Sequence, residues 1–295
     1  MRARIPEIHQ VYGVDFSGAR LSGLTAWLAA TQVDQPAEGD APILPRLRLL
    51  ELDPLGTLAG NDDRDAVNRY LVASVRGCER ALWGFDFPFG LPVELGIGRW
   101  KEQLAHVAEF VGQAQDYGRL LVRRSREVDG SLHIRRLTDR EAKTPFDCYH
   151  YRIIHQTFHG MRDILCPLSR DVRVCVLPFQ FARITSSKAS PRSLVVEACP
   201  SSTLKRLSLP HRLYKQSGGK PPTESHREVR REILAGLNRL VEISPRHRRT
   251  ILANPGGDAL DAVLAAVGVW NSIVTDEHDA IARHGRYPLE GRVYA

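Results

Sequence analysis

The chain of 295 residues predicts an α/β fold, a sheet that opens with an antiparallel meander and is flanked by helices. Three observations carry that expectation. An apolar run from Val11 delivers Asp15 into a Ser17–Gly18 turn. The pattern returns at Ala81 to Phe87, where Asp86 runs into Pro88 and Gly90. The segment between them reads as two strands and a helix, so the order is β-β-β-α-β. A hydrophobic content of 43% is ample for a sizeable core.

The elements follow in order. After the strand carrying Asp15, Leu21 to Ala30 and Arg46 to Leu52 read as strands separated by a Pro/Gly/Asp-rich connection. Asn61, Asp62 and Asp63 give acidic start signals for a helix through Ala66, Val67, Tyr70, Leu71 and Val75 that stops at Gly77. The strand carrying Asp86 follows. From residue 93 to 190 the pattern turns helical and charged, with helices expected at Trp100 to Phe110 and Tyr149 to Leu165. Strand character resumes at Ser193 to Ala198, so the helical, basic stretch is read as an insertion within a single domain spanning 1–295. A short helix at Ser201 to Leu207 and a flexible loop at Gly218 to Pro222 come next. Ser225 and Glu228 have capping-box spacing for a helix reaching Val241. Asn254 to Gly257 is a stop, followed by Asp258 and an apolar helix over Ala262 to Trp270, and Arg292 to Tyr294 closes the chain as a short strand.

Composition narrows the function classes. The formal charge of +7 suits a polyanionic partner. Met1 to His9 has no apolar leader core, and no stretch reads as the roughly 18 to 20 apolar residues that span a bilayer, so a cytoplasmic protein with no membrane partner is expected. The cysteines, Cys78, Cys148, Cys166, Cys175 and Cys199, are odd in number and form no CxxC pair, which argues for reduced, buried thiols. There is no Gly-x-Ser-x-Gly elbow, Walker A loop or Gly-x-Gly-x-x-Gly. His155 and His159 have i, i+4 spacing, but Gln156 stands where a metalloprotease helix needs Glu.

What remains is a pool of acids at element ends. Asp15, Asp86 and Glu197 each close an apolar strand, and Asp258 and Asp261 share one face at the start of a helix. A carboxylate on a buried strand is costly unless something neutralises it. Converging carboxylates repel one another, and their hard oxygens select Mg²⁺ or Mn²⁺ over Zn²⁺. Each acid also has a structural reading. Asp258 suits a helix N-cap with Asp261 favouring the macrodipole, Glu197 a bond to local amides, and Asp86 a turn. Asp15 with Ser17 and Gly18 also suits a phosphate-binding turn. The basic residues Arg123, Arg124, Arg135, Arg136 and Lys143 of the insertion are candidates for phosphate contacts, or else a solvated face.

The β-β-β-α-β order with these acids resembles the RNase H-like superfamily. More narrowly, Gly13 to Ala19, Gly84 to Pro92, Glu197 to Pro200, Asp258 to Ala262, Arg135 to Asp139 and Leu289 to Tyr294 resemble the bacterial and archaeal family of predicted RNase H-like nucleases. The resemblance implies a mixed five-stranded sheet with its first three strands antiparallel, flanked by helices, with the helical insertion after the fourth strand. It implies Asp15 as the central metal ligand, Asp86 as the fourth-strand acid, and Asp258 and Asp261 as helix acids, as in Holliday-junction resolvases. Glu197 is carried by the narrower family alone. The expected function is a Mg²⁺- or Mn²⁺-dependent nuclease with Asp15, Asp86, Glu197 and Asp261 catalytic and Ser17 and the insertion arginines on DNA or RNA. Alternatives are a nucleotide-binding phosphotransferase or ATPase of the sugar-kinase-like branch, and a nucleic-acid-binding module that cleaves nothing.

Overall fold

A computed structural model of the chain describes residues 5–34, 45–185, 191–216 and 218–295. Within them, eight strands form one mixed sheet. They are β1 (Gln10–Asp15), β2 (Trp27–Val33), β3 (Leu47–Pro54), β4 (Ala81–Phe85), β5 (Val174–Val176), β6 (Ser193–Ala198), β7 (Val241–Glu242) and β8 (Val293–Tyr294). The order is β5-β6-β4-β1-β2-β3-β7, with β8 also paired to β6. β1 to β3 are antiparallel neighbours, as expected, whereas β4 is parallel to β1 and β6 parallel to β4.

The expectation of five strands is corrected to eight. β7 and β8 are two residues each and β5 three, too short to show an alternating pattern in sequence. β5 also lies inside the stretch read as helical, so that stretch adds an edge strand to the sheet. The second strand begins at Trp27, because Ser22–Leu24 forms a 3-10 turn wedged against Asp62. Residues 35–44 of the following connection, 1–4 of the N-terminal stretch and 186–190 at the end of the insertion lie outside the described residues.

The helices divide between the faces. Before β4 come α1 (Leu55–Ala59) and α2 (Arg64–Gly77), the latter capped by the Asp63 side chain. The insertion holds α3 (Trp100–Glu109), α4 (Ala114–Asp129), α5 (Leu137–Glu141) and α6 (Ile154–His159). α6 runs through a π-helical segment, Gly160–Leu165, into α7 (Cys166–Ser169). The helix expected from Tyr149 therefore starts five residues later, after turns. Beyond α8 (Ala182–Thr185) lie α9 (Pro200–Arg206), α10 (Glu224–Leu237), α11 (Pro245–Ala253), α12 (Asp258–Thr275), α13 (His278–Arg283) and α14 (Tyr287–Glu290). Thr223, not Ser225, caps α10, its hydroxyl accepting from His226 N–H. α11 had no clear apolar period in sequence. Its start is set by Ser244 and Pro245.

α12 is long and apolar enough by length and composition to cross a bilayer, which the sequence reading did not register, but 78% of it is buried in the protein. It is the helix that packs on β1 and β4. Val11, Leu82 and Val196 face it, while Val14, Trp83, Phe85 and Val195 face the layer built by α2 and the insertion. Gly13 and Gly84 are register partners on the α12 side. A Cβ on Gly13 would collide with the backbone of Ala262 and Ala266, and one on Gly84 would come within 2.7 Å of Val269. Both glycines exist so that the helix can lie directly on the strands.

Candidate functional site

Side chains alternate along a strand, so a residue two positions beyond another points to the same face. Asp15 follows Gly13 by two, and Asp86 follows Gly84 by two. Both acids therefore emerge on the α12 face at the carboxyl ends of neighbouring parallel strands. The amide of Asp86 donates to Val14 C=O at 3.0 Å, which extends the pairing past the end of β4 and holds the two acids side by side. The closely packed α12 begins over this edge and brings Asp258 and Asp261 to it. Asp15, Asp86, Asp258 and Asp261 line one cleft of about 330 Å³, with Phe16 and Ile153 among its walls.

Glu197 obeys the opposite parity. It pairs in register with Phe85, so it faces the insertion layer. There the Arg136 guanidinium meets both of its oxygens, the Nη1 bond to Oε2 being 2.8 Å, and Phe89 N–H donates to Oε2 at 2.9 Å. Arg136 also donates through Nε and Nη2 to Asp139, at 3.1 and 2.8 Å, and through Nη1 to Glu290 C=O at 3.2 Å. Burial works against the guanidinium charge, but Asp139 and Glu197 outweigh it and hold Arg136 firmly ionised. Glu197 thus lies at the cleft wall with its oxygens committed to an ion pair. Expected among the metal ligands, Glu197 stands one step of strand parity away from the face of Asp15 and Asp86, with Arg136 on both of its oxygens. Arg136, 1% exposed, is a buried structural cation and not the surface phosphate contact expected of it.

The other basic candidates scatter. Arg123 and Arg124 lie on α4 and do not line the cleft, and Arg124 donates to Gly96 C=O at 3.1 Å. Arg135 donates to Thr144 and Pro145 carbonyls at 3.1 and 3.2 Å, fixing a segment of the cleft rim. Lys143 is exposed in a second pocket with Lys205, Arg206 and Arg292. Ser17 does line the acid cleft, accepting from Thr25 Oγ1 at 3.0 Å. His155 and His159 do not, and His159 Nδ1 is bonded to Asp163 at 2.8 Å. The cysteines are all free thiols.

The positive charge at the acids comes from Lys215, which the sequence reading passed over. Its side chain enters from the loop between α9 and α10 and forms an ion pair with Asp261, whose other oxygen accepts from Tyr214 O–H at 2.9 Å. A single lysine beside a Gly-rich loop carries no period or spacing, so Gly218 and Gly219 were the sole signal nearby. Burial works against the Lys215 ammonium, but Asp261, Tyr214 and Asp15 outweigh it and raise its pKa. Lys215, with a weaker pull from Arg230 on Asp258, does not satisfy four acids. Burial first, then Asp261, push Asp86 up to about 7. Asp258 is pushed up to about 6 by burial and Asp261 against the pull of Lys215. Asp15 is raised well above the ordinary carboxylate range by burial, then by Asp261.

This is a cluster of hard oxygens with more acids than cations, in which both oxygens of Asp261 are engaged by Lys215 and Tyr214 while the pKa values of Asp15, Asp86 and Asp258 are left raised. That chemistry fits Mg²⁺ or Mn²⁺, with Asp15, Asp86, Asp258 and Asp261 as the residues that would hold it. As the side chains stand, no three His, Cys, Asp or Glu side chains among the described residues are gathered as an ion's ligand shell. A scan against family models, a search of curated proteins and a search of solved structures each returned no match.

Proposed function

We propose that the chain is an RNase H-like hydrolase that cleaves phosphodiester bonds of nucleic acid with the help of Mg²⁺ or Mn²⁺. The observation that supports this best is the convergence of Asp15, Asp86, Asp258 and Asp261 in one cleft at the strand ends, with the pKa values of Asp15, Asp86 and Asp258 raised by burial and by their neighbours. The strand order β3-β2-β1-β4-β6 agrees with the reading. A divalent cation bound there would activate a water and neutralise the leaving oxygen.

The chain's own groups do the rest. Asp15 and Asp86 are held by strand pairing, so their spacing is set before any substrate arrives. On this reading the Ser17 hydroxyl, which lines the cleft, would meet a non-bridging phosphate oxygen. Gln156 Nε2 donates to Phe16 C=O at 2.6 Å and locks that turn against α6. Lys215 offsets the acids' repulsion toward a polyanion.

The test is cleavage of labelled DNA and RNA oligonucleotides with Mg²⁺ or Mn²⁺, with ATP turnover assayed alongside. Metal-dependent cleavage is expected, falling about 10²- to 10³-fold in Asp15→Asn and in Asp86→Asn. Cleavage that persists unchanged in both variants would remove the site. ATP turnover without cleavage would favour a phosphotransferase.

A further inference from the structure

One side of the acid cleft is lined by Thr144, Pro145, Phe146, Arg152 and Ile153, and His150 and Tyr151 belong to the same segment just outside that lining. Phe146 and His150 rings stack at 4.6 Å between centroids, and His150 meets Tyr151 at 4.5 Å. The Arg152 guanidinium lies 5.6 Å from the Phe146 ring centre and 5.8 Å from that of Tyr151, and its Nε donates to the Tyr151 hydroxyl at 3.2 Å. Tyr151 is 72% exposed, so its ring is open to a ligand.

The rim is also braced by hydrogen bonds. Asp147 Oδ1 accepts from Tyr149 N–H at 3.2 Å and pairs with His133 at 3.0 Å, Thr144 Oγ1 donates to Phe146 C=O at 2.8 Å, and Arg135 holds the Thr144 and Pro145 carbonyls. A preordered set of rings forfeits little entropy on binding. Flat π-faces beside a guanidinium are the chemistry that accepts nucleobases, and a base offers its face only when it is unstacked or unpaired.

We infer that Phe146, His150, Tyr151 and Arg152 form a stacking platform for unpaired nucleobases, so that the substrate of the acid cleft is a single strand or the unpaired part of a branched nucleic acid. This rests on the nucleic-acid reading above. Phe146 and Arg152 line the same cleft as Asp15 and Asp86, so a strand whose bases lie on the rim carries its phosphates across the acids. Arg152 supplies the charge complementarity on that side.

The experiment is fluorescence anisotropy with a single-stranded oligonucleotide, a splayed fork and a blunt duplex, with Ca²⁺ replacing Mg²⁺, and with 2-aminopurine emission followed in parallel. The wild type is expected to prefer the single strand and the fork and to quench 2-aminopurine. Tyr151→Ala should lose about tenfold for those two ligands with duplex affinity unmoved, Arg152→Gln should lose about tenfold for them with a smaller loss for the duplex, and Tyr151→Trp should keep wild-type affinity. Equal affinities of Tyr151→Ala, Arg152→Gln and wild type for the single strand would overturn the platform and leave the hydrolase reading standing. A wild type that binds none of the three would overturn both. Thermal melts of each variant separate lost binding from lost folding, which an exposed Tyr151 makes a simple control.

Discussion

Asp86 gives the sharpest readout at the scale of one residue. Its folded pKa of about 7 lies above the 3.8 of an ordinary aspartate, so between those values the folded chain keeps a proton that the unfolded chain has released. The resulting stabilisation is whole below the lower value and is lost as pH rises through the upper one. The melting temperature in EDTA is therefore expected to fall between about pH 4 and pH 7 and to level off above, and Asp86→Asn should flatten the fall. A profile of the same slope in both proteins would contradict the assignment. Arg136 tests the opposite situation. Arg136→Met leaves Glu197 and Asp139 as uncompensated buried charges, so urea unfolding should show a loss of about 3–5 kcal/mol. The acids themselves were legible as residues because an aspartate at the end of an apolar run stands out. The committed state of Glu197 was not, since its partner Arg136 lies 61 positions away and no local pattern announces such a pair.

The relation of β1 and β4 to α12 governs the elements. Gly13→Ala pushes a methyl into helix backbone, which cannot yield as a side-chain tip does, and is expected to leave the protein insoluble or far less stable. Gly84→Ala meets the branched tip of Val269, so a smaller loss is expected, with Val269→Ala restoring part of it. Thermal melts of the three variants and the double variant measure this. The long strands and helices were readable from period and caps, and β1, α2, α3, β6, α9 and α12 fall where the sequence put them, within a few residues. The edge strands were not, because β5, β7 and β8 owe their pairing to the sheet beside them and not to their own length. The capping-box spacing at Ser225 misled for a similar reason: Thr223 stands two residues earlier with an equally good hydroxyl.

At the scale of the whole molecule, charge is the variable. With Lys and Arg exceeding Asp and Glu by 41 to 34, binding of nucleic acid is expected to weaken steeply with added salt, and an affinity independent of salt would remove the phosphate contacts from the account. The basic residues were counted correctly from sequence but could not be located by it. Arg136 went inward, Arg135 became a brace for the rim, and Lys143 joined a separate pocket. Mg²⁺ or Mn²⁺ should raise the melting temperature of the wild type, since a ligand of the folded state stabilises it by mass action. The shift should shrink in Asp15→Asn, where one donor loses its charge.

The two Gly-x-Asp steps, Gly13 to Asp15 and Gly84 to Asp86, have a consequence for anyone who would rebuild the protein. Depth of packing and placement of the acids are set by the same pair of tripeptides, so neither is adjustable alone. An attempt to widen the cleft by thickening the helix would shift the acids out of alignment, while grafting β1, β4 and α12 together into another sheet would transfer the acids as a cassette. The transplantable unit here is three elements, not four residues.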